Sequence, residues 1–521
     1  MMREGLSRRQ FLRASAAAGL TAAVPFRRGA EAADPRVLRI RSYTNYETLD
    51  PAFRLGAPES DIIDAVLLGL VTLTPGTTWG WERDAALSIE ATDPTHIRFQ
   101  LRPGLPWTNG FGELTAEDVK FSYERVANPA TKSPYRGDWA KLDRVEITGR
   151  HAGVIVLKEP FLPLWSSTLP QTSSVIVCKK AVERMDGQRF TMDPGATCGP
   201  YRIRKWEPRA GLTLERNPLW PGAKPVFEEI QATPILDANA AEIAYEAGQI
   251  DVTHVPMTSI PRLRGKLPAS STLDARPGLT YWWLGMQMES GVFSDIRVRK
   301  AVQLAVDGKA VLDGAFFGVA PRSTGIVAPG LIGHREKNLV AGPDLDRARK
   351  LLAEAGHPRG FKTEIGVRNS TEFLNAAQVV AASLAKVGIQ AEVVPFDSGV
   401  QKAMASDKAG GWKKMQMHVV RFSMQPDPSW ATVWFTSAQI GEWNWERFSS
   451  KEYDTLHEQA LLEPDAAKRH AMYVRMQDLM EESGAYVFLT HGVNAVLYRT
   501  HLKPALTPDG NRMLLRKFQL A

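Results

Sequence analysis

Few residues in this 521-residue chain are of a type and spacing that could do covalent chemistry. The two cysteines, Cys178 and Cys198, are close enough in sequence to close a short disulfide loop, which an oxidising compartment permits. They are equally readable as two buried thiols. No histidine stands at ligand spacing from either one, which speaks against zinc. The ten histidines run from His96 to His501 without metal-binding spacing. There is no Gly-x-Ser-x-Gly elbow, Walker loop, His-Glu-x-x-His helix or dinucleotide glycine turn. The expectation is no enzyme, no cofactor and no metal. Catalytic triads are often scattered along a chain, so a periplasmic hydrolase stays open as an alternative. It would need a nucleophile and a base within hydrogen-bonding reach of each other.

The most specific signal is at the N-terminus. Ser7-Arg8-Arg9-Gln10-Phe11-Leu12-Arg13 is followed by an alanine-rich, weakly apolar stretch to Phe26 and then by Ala30-Glu31-Ala32. Charged, apolar and small-residue regions in that order describe an export signal, here over residues 1–32. The paired arginines resemble the twin-arginine class, an address and not an anchor. The apolar run is shorter than the ~20 residues a membrane span needs. No cysteine near the cleavage region suggests lipid attachment. The expectation is a soluble, periplasmic protein. Residues 1–32 carry six arginines and two glutamates, so of the whole chain's +7 about +3 belongs to the rest. That mild balance, without a basic block, gives no case for nucleic acid.

The elements that must position any site alternate throughout the chain. Helical spacing is clearest at 295–307, behind a Ser294 cap, and at 345–356, ended by Gly356 and Pro358. Further helices are expected at about 373–387, 450–462 and 465–482. Strand patterns occupy 37–43, 97–102, 153–158, 201–206 and 485–490. Thr115, with Asp118 three residues on, reads as a capping box. Such mixing indicates an α/β or α+β mixed fold with room for two or more lobes.

A series of short motifs then appears in order. They are Thr48-Leu49-Asp50-Pro51; Phe99 to Gly104 with Leu114 to Ser122; Cys198-Gly199-Pro200-Tyr201 with Glu215-Arg216-Asn217-Pro218; Gly248 to Val252; Arg297 to Ala301; Ala348 to Gly356; Gly388-Ile389; and Pro426-Asp427-Pro428. The series resembles solute-binding protein family 5, the peptide, nickel and oligopeptide binders of bacterial ABC importers. One departure is the usual Gly-Thr-Gly-Pro-Tyr, which here reads Ala196-Thr197-Cys198-Gly199-Pro200-Tyr201. The resemblance implies a two-lobed, type II periplasmic-binding fold of the large subclass. It maps the first lobe to 36–275 plus 488–521, with an inserted subdomain at about 52–195, and the second lobe to 276–487. It also implies a membrane permease and ATPase as partners, a monomer, and a solute held between the lobes.

Under that resemblance three regions line the cleft. The first is Tyr43, Asn45 and Tyr46 after the first strand, where tyrosine offers an apolar face and a polar tip. The second is Arg368, which matches the arginine that holds the ligand carboxylate in dipeptide-binding relatives; Asn369 and Ser370 do not match the Pro-Tyr that follows it there. The third is Arg421 to Pro428, where Met424 replaces the aspartate that pairs with a ligand amine. Trp443 and Trp445 follow as stacking candidates. Each has an ordinary packing explanation as well: a turn for Asp427, the core for the tryptophans. The arginines favour a peptide or peptide-like solute bearing a carboxylate. A nickel chelate, haem, or a sensing role for the same fold remain as alternatives.

Overall fold

The computed structural model describes residues 36–405, 407 and 411–521; the signal segment at 1–32, with Arg8 and Arg9, lies outside the described residues. Two sheets organise the rest. The first has seven strands, in the order 201–207, 211–216, 229–234, 37–42, 252–255, 493–499 and 271–277. The second has five, in the order 390–396, 362–368, 417–423, 280–286 and 486–490. Between the first two strands of the seven-stranded sheet that the chain visits, 37–42 and 201–207, it builds a separate four-stranded antiparallel sheet from residues 86–157.

The strand Thr280–Met286 shows how sequence becomes layer. It reads TYWWLGM and is buried on both faces, as a central strand must be. Trp282, Leu284 and Met286 face a core built with the helices Ile296–Ala305, Gly308–Phe316 and Thr371–Ala385. Tyr281 and Trp283 face an aromatic core that includes Phe435, Tyr453 and Tyr486. A run apolar on both faces has no alternation, so its period alone does not tell a buried strand from a buried helix segment. Gly285 lies on the aromatic side, where a Cβ would overlap the Glu446 carboxylate and the His418 ring. There Glu446 Oε1 is 2.7 Å from His418 Nε2 and accepts the Trp283 indole N–H at 2.6 Å.

The helices expected from spacing all form, as Ile296–Ala305, Leu345–Glu354, Thr371–Ala385, Lys451–Ala460 and Ala466–Glu482. One cap differs. Asp295 and not Ser294 caps the first of these, accepting the Arg297 N–H at 2.8 Å, while the Ser294 hydroxyl turns back to the Gly291 carbonyl. A carboxylate one residue nearer the helix outcompetes the hydroxyl.

The short motifs have structural work. Asp50 forms a buried ion pair with Arg125, which also donates to the Gln188 carbonyl at 3.0 Å. Asp118 accepts the Thr115 N–H at 2.9 Å and the Lys179 N–H at 2.9 Å. Gly199 packs where a Cβ would come within 2.7 Å of the Val66 backbone, so only glycine fits. Asn217 then ties its own motif to that turn, donating to the Gly199 carbonyl at 2.8 Å.

Among the described residues the chain passes between the two main sheets twice, at Gly278-Leu279 and at His491-Gly492. The two crossings are bonded together: the Gly278 N–H donates to the Gly492 carbonyl at 3.3 Å, and the Thr280 hydroxyl to the His491 carbonyl at 2.9 Å.

Two expectations follow from these positions. Gly285→Ala should destabilise the fold by about 1–3 kcal/mol through overpacking, read as a lowered urea midpoint; an unchanged midpoint would show that Glu446 and His418 move aside freely. The second concerns His491. It is fully buried, and burial, with His334 adding, pushes its pKa down to about 3. Above its ordinary value of 6.5 it is neutral in both folded and unfolded chains. Below 6.5 the unfolded chain takes up a proton that the folded one refuses until about pH 3. Stability is therefore full above pH 6.5 and falls between those limits, this one histidine contributing up to ~1.4 kcal/mol per pH unit. His254 and His457 are lowered in the same direction, first by burial. Urea unfolding between pH 7 and 4 should lose stability less steeply in His491→Gln, by about one proton. An identical slope would mean that His491 is protonated in the fold at no cost.

Candidate functional site

Between the two sheets lies a cavity of about 330 Å³ lined from both sides. The first-sheet side supplies Arg54, Ser60, Trp79, Gln171, Asn494, Asp509, Asn511 and Arg512; the second-sheet side supplies Leu279, Thr280, Ser423, Met424, Gln425 and Pro426. Trp79 packs against the cores of both. Leu279 and Thr280 stand at one crossing, so that crossing forms part of the cavity wall. A larger groove, about 850 Å³, runs beside the helices Ile296–Ala305 and Leu345–Glu354, but all its lining comes from the second-sheet side.

The charges in the cavity are unequal in kind. Arg512 is committed to the scaffold: Nε donates to Asp61 at 2.6 Å and Nη2 to Asp64 at 2.7 Å, both on the helix Ala57–Val66. Burial raises the Asp61 pKa, with Arg512 opposing it. Asp509 accepts the Thr507 hydroxyl at 2.7 Å and the Asn511 N–H at 3.2 Å, and burial raises its pKa too. Arg54 is different. Its guanidinium lies 4.3 Å from the Tyr135 ring centroid, its Nε is buried without a hydrogen-bond partner, and it makes no ion pair among the described residues. Desolvation lowers its pKa from the ordinary arginine value, although the group stays charged. The rest of the lining is amide, hydroxyl and apolar surface, with donors and acceptors suited to peptide groups. Among the described residues no cluster of three or more histidine, cysteine, aspartate or glutamate side chains is arranged to hold a metal.

Of the residues singled out in the sequence, Met424 lines this cavity. Tyr43, Asn45 and Tyr46 do not line it. Burial pushes the Tyr43 pKa up to about 12, Asp61 and Glu59 adding, and its ring meets His254 edge-on at 5.7 Å. Tyr46 is in the core. Arg368 and Arg421 are exposed on the second-sheet side outside the cavity, Arg421 with its guanidinium 5.3 Å from the Trp282 ring. Trp443 is half-buried under Lys402, whose ammonium sits 3.7 Å from the ring, and Trp445 is buried against His418 and Phe422. Asp427 is 1% exposed and ion-paired with Arg469 at 2.9 Å. Arg54, Gln171 and Asp509 carried no sequence signal; Arg54 is only a few residues past the Leu49-Asp50-Pro51 motif, in no pattern of its own.

The possible disulfide is corrected. Cys178 and Cys198 are both buried free thiols, Cys178 opening the short helix Lys179–Val182 and Cys198 held by its N–H to the Val66 carbonyl at 3.2 Å. A thiol count on denatured, unreduced protein should find two; finding none would reverse this.

Residues 81–442 match the model of the bacterial extracellular solute-binding proteins, family 5 (middle region). The chain belongs to that family. Residues 5–25 match the twin-arginine translocation signal. Among relatives, the periplasmic oligopeptide-binding protein OppA of Escherichia coli K12 is 25% identical over 90% of this chain and 90% of its own. The glutathione-binding protein GsiB of Shigella dysenteriae is 24% identical over 74% and 76%. The solved structure of HbpA2 from Haemophilus parasuis superposes with a TM-score of 0.81 at 21% identity, covering 93% of this chain and 100% of that one. The fold is thus the two-lobed one, each lobe centred on one of the sheets described above. The chain is exported by the twin-arginine route to the periplasm and serves an ABC importer as its solute-binding component, not as an enzyme. Among the described residues no helix is long and apolar enough to cross a membrane.

Proposed function

We propose that this family member captures a peptide or peptide-like solute bearing a carboxylate, closes its lobes over it, and delivers it as a monomer to a membrane permease and ATPase. The reading divides the chain as the resemblance implied, 36–275 with 488–521 against 276–487. The observation that supports the solute class is Arg54: a desolvated guanidinium facing an interlobe cavity, without an ion pair among the described residues. A guanidinium in that state gains most from a planar anion, to which it donates two parallel hydrogen bonds. The amides and hydroxyls around it suit a peptide backbone better than a bare metal ion. The names of two relatives, one oligopeptide-binding and one glutathione-binding, lie in the same class. Arg368 and Arg421 do not line the cavity, so this reading gives the solute carboxylate to Arg54 and not to them.

Closure over the solute strengthens each charged contact because water is excluded. Only differential affinity for the closed form drives it.

Thermal unfolding with a panel of di- to pentapeptides, glutathione, nickel chelates and haem tests the solute class. A true ligand at a hundredfold excess over its Kd should stabilise by about 2.7 kcal/mol. Arg54→Ala should then weaken binding by roughly 30-fold or more, the effect of losing a desolvated charged hydrogen bond, and should leave ligand-free stability nearly unchanged. Amidating the peptide's carboxylate should cost as much as the mutation, whereas N-acetylation should cost little. Loss of binding on acetylation with indifference to amidation would instead make Asp509 the ligand contact, holding an amine. Stabilisation by a nickel chelate or haem alone would overturn the peptide reading.

A further inference from the structure

Outside the cavity the two lobes are joined by a second set of polar contacts, and they centre on Asp427. On the first-lobe side Leu164–Thr168 forms a turn of π-helix, closed by the Leu169 N–H to the Leu164 carbonyl at 2.8 Å and anchored by Leu164 and Leu169 in the first core. Such turns are uncommon and displace side chains from helical register. This one aims two successive hydroxyls across the interface. Ser166 Oγ donates to Asp427 Oδ2 at 2.8 Å, and Ser167 Oγ accepts the Trp430 indole N–H at 3.1 Å. The Leu162 N–H adds a main-chain bond to the Leu461 carbonyl at 3.1 Å. On the second-lobe side Asp427 is held in place by Arg469, whose Nε is itself fixed to the Ala460 carbonyl at 2.7 Å.

We infer that Asp427 is a positioning residue for solute capture: with Ser166, Ser167 and Trp430 it forms a latch between the lobes that favours their closed arrangement. The inference rests on capture between lobes and not on which solute is captured. Two features distinguish the latch from general packing. Its acceptor is a buried carboxylate, so the Ser166 bond is charge-assisted and stronger than a neutral one. It is also continuous with both cavity walls. Ser423 to Pro426 immediately precede Asp427, and Gln171 follows the π-turn closely. Pulling the lobes apart must break the latch and the walls together. A latch that raises the closed fraction raises apparent affinity by the same factor, since apparent Kd is the intrinsic value divided by the competent fraction.

The test uses the full mature chain with the double substitution Ser166→Ala and Trp430→Phe, which leaves the Asp427–Arg469 pair intact. Small-angle scattering of ligand-free protein should give a larger radius of gyration for the variant than for the wild type. Affinity for tri-alanine, by calorimetry, should fall roughly tenfold for the loss of two such hydrogen bonds. The melting temperature of the ligand-free protein should hardly move, and Ser166→Thr, which keeps the hydroxyl, should retain compactness and affinity. A ligand-free wild type already as expanded as the variant overturns the latch. So does an affinity loss that comes with a matching fall in melting temperature and is shared by Ser166→Thr. If tri-alanine does not bind the wild type at all, the solute class is at fault, and the scattering comparison still decides the latch.

Discussion

The structure depends on one constraint: among the described residues the chain changes sheets only twice, and the two crossings are hydrogen-bonded to each other. Gly278 donates to Gly492, and the Thr280 hydroxyl caps the His491 carbonyl. Two short adjacent segments therefore tie the sheets together along one line, the geometry a hinge requires. Such hinges absorb a change of φ and ψ at a few residues and leave the packed layers intact. Because the cavity begins at Leu279 and Thr280, next to that line, a small rotation there changes its walls directly. The neutral, buried His491 keeps a charge out of the joint.

Electrostatics then separates scaffold from site. Buried carboxylate–guanidinium pairs recur: Asp50 with Arg125, Asp61 and Asp64 with Arg512, Asp84 with Arg516, Asp427 with Arg469. Removing one partner of such a pair leaves a charge uncompensated and is costly, so these pairs define which surfaces stay together. Arg512 and Arg516 tie the C-terminal segment to the first lobe, closing that lobe from both ends of the chain. Against this background Arg54 stands out, because it lies over a tyrosine ring and makes no ion pair among the described residues, although Asp64, Asp138 and Glu59 are within electrostatic reach.

Much of the fold was legible in the sequence. Helices with apolar residues at i, i+3, i+4 and i+7 formed where expected, since that spacing puts one stripe against a core whatever the sheet beneath it. The family motifs were readable because each does a local job: a cap at Asp118, a glycine pressed on Val66, an asparagine closing the Gly199 turn. Those same jobs explain why the motifs said little about the solute. Apart from Pro426, none of their residues lines the cavity.

The sequence by itself determined the export signal, the family and the two-lobed fold, all of which rest on contiguous residues and local periodicity. Only the tertiary structure decided which side chains meet between the lobes. Arg54 and Asp509 are 455 positions apart and share a wall because the C-terminal strand returns to the first sheet. Asp427 shows the same limit in reverse. Between two prolines it reads as a turn residue or a ligand contact, yet Arg469 and Ser166, brought in from a distant helix and from the other lobe, make it a joint between lobes. Whether a charge is free for a ligand depends on what else reaches it, and that is a property of packing across sequence distance.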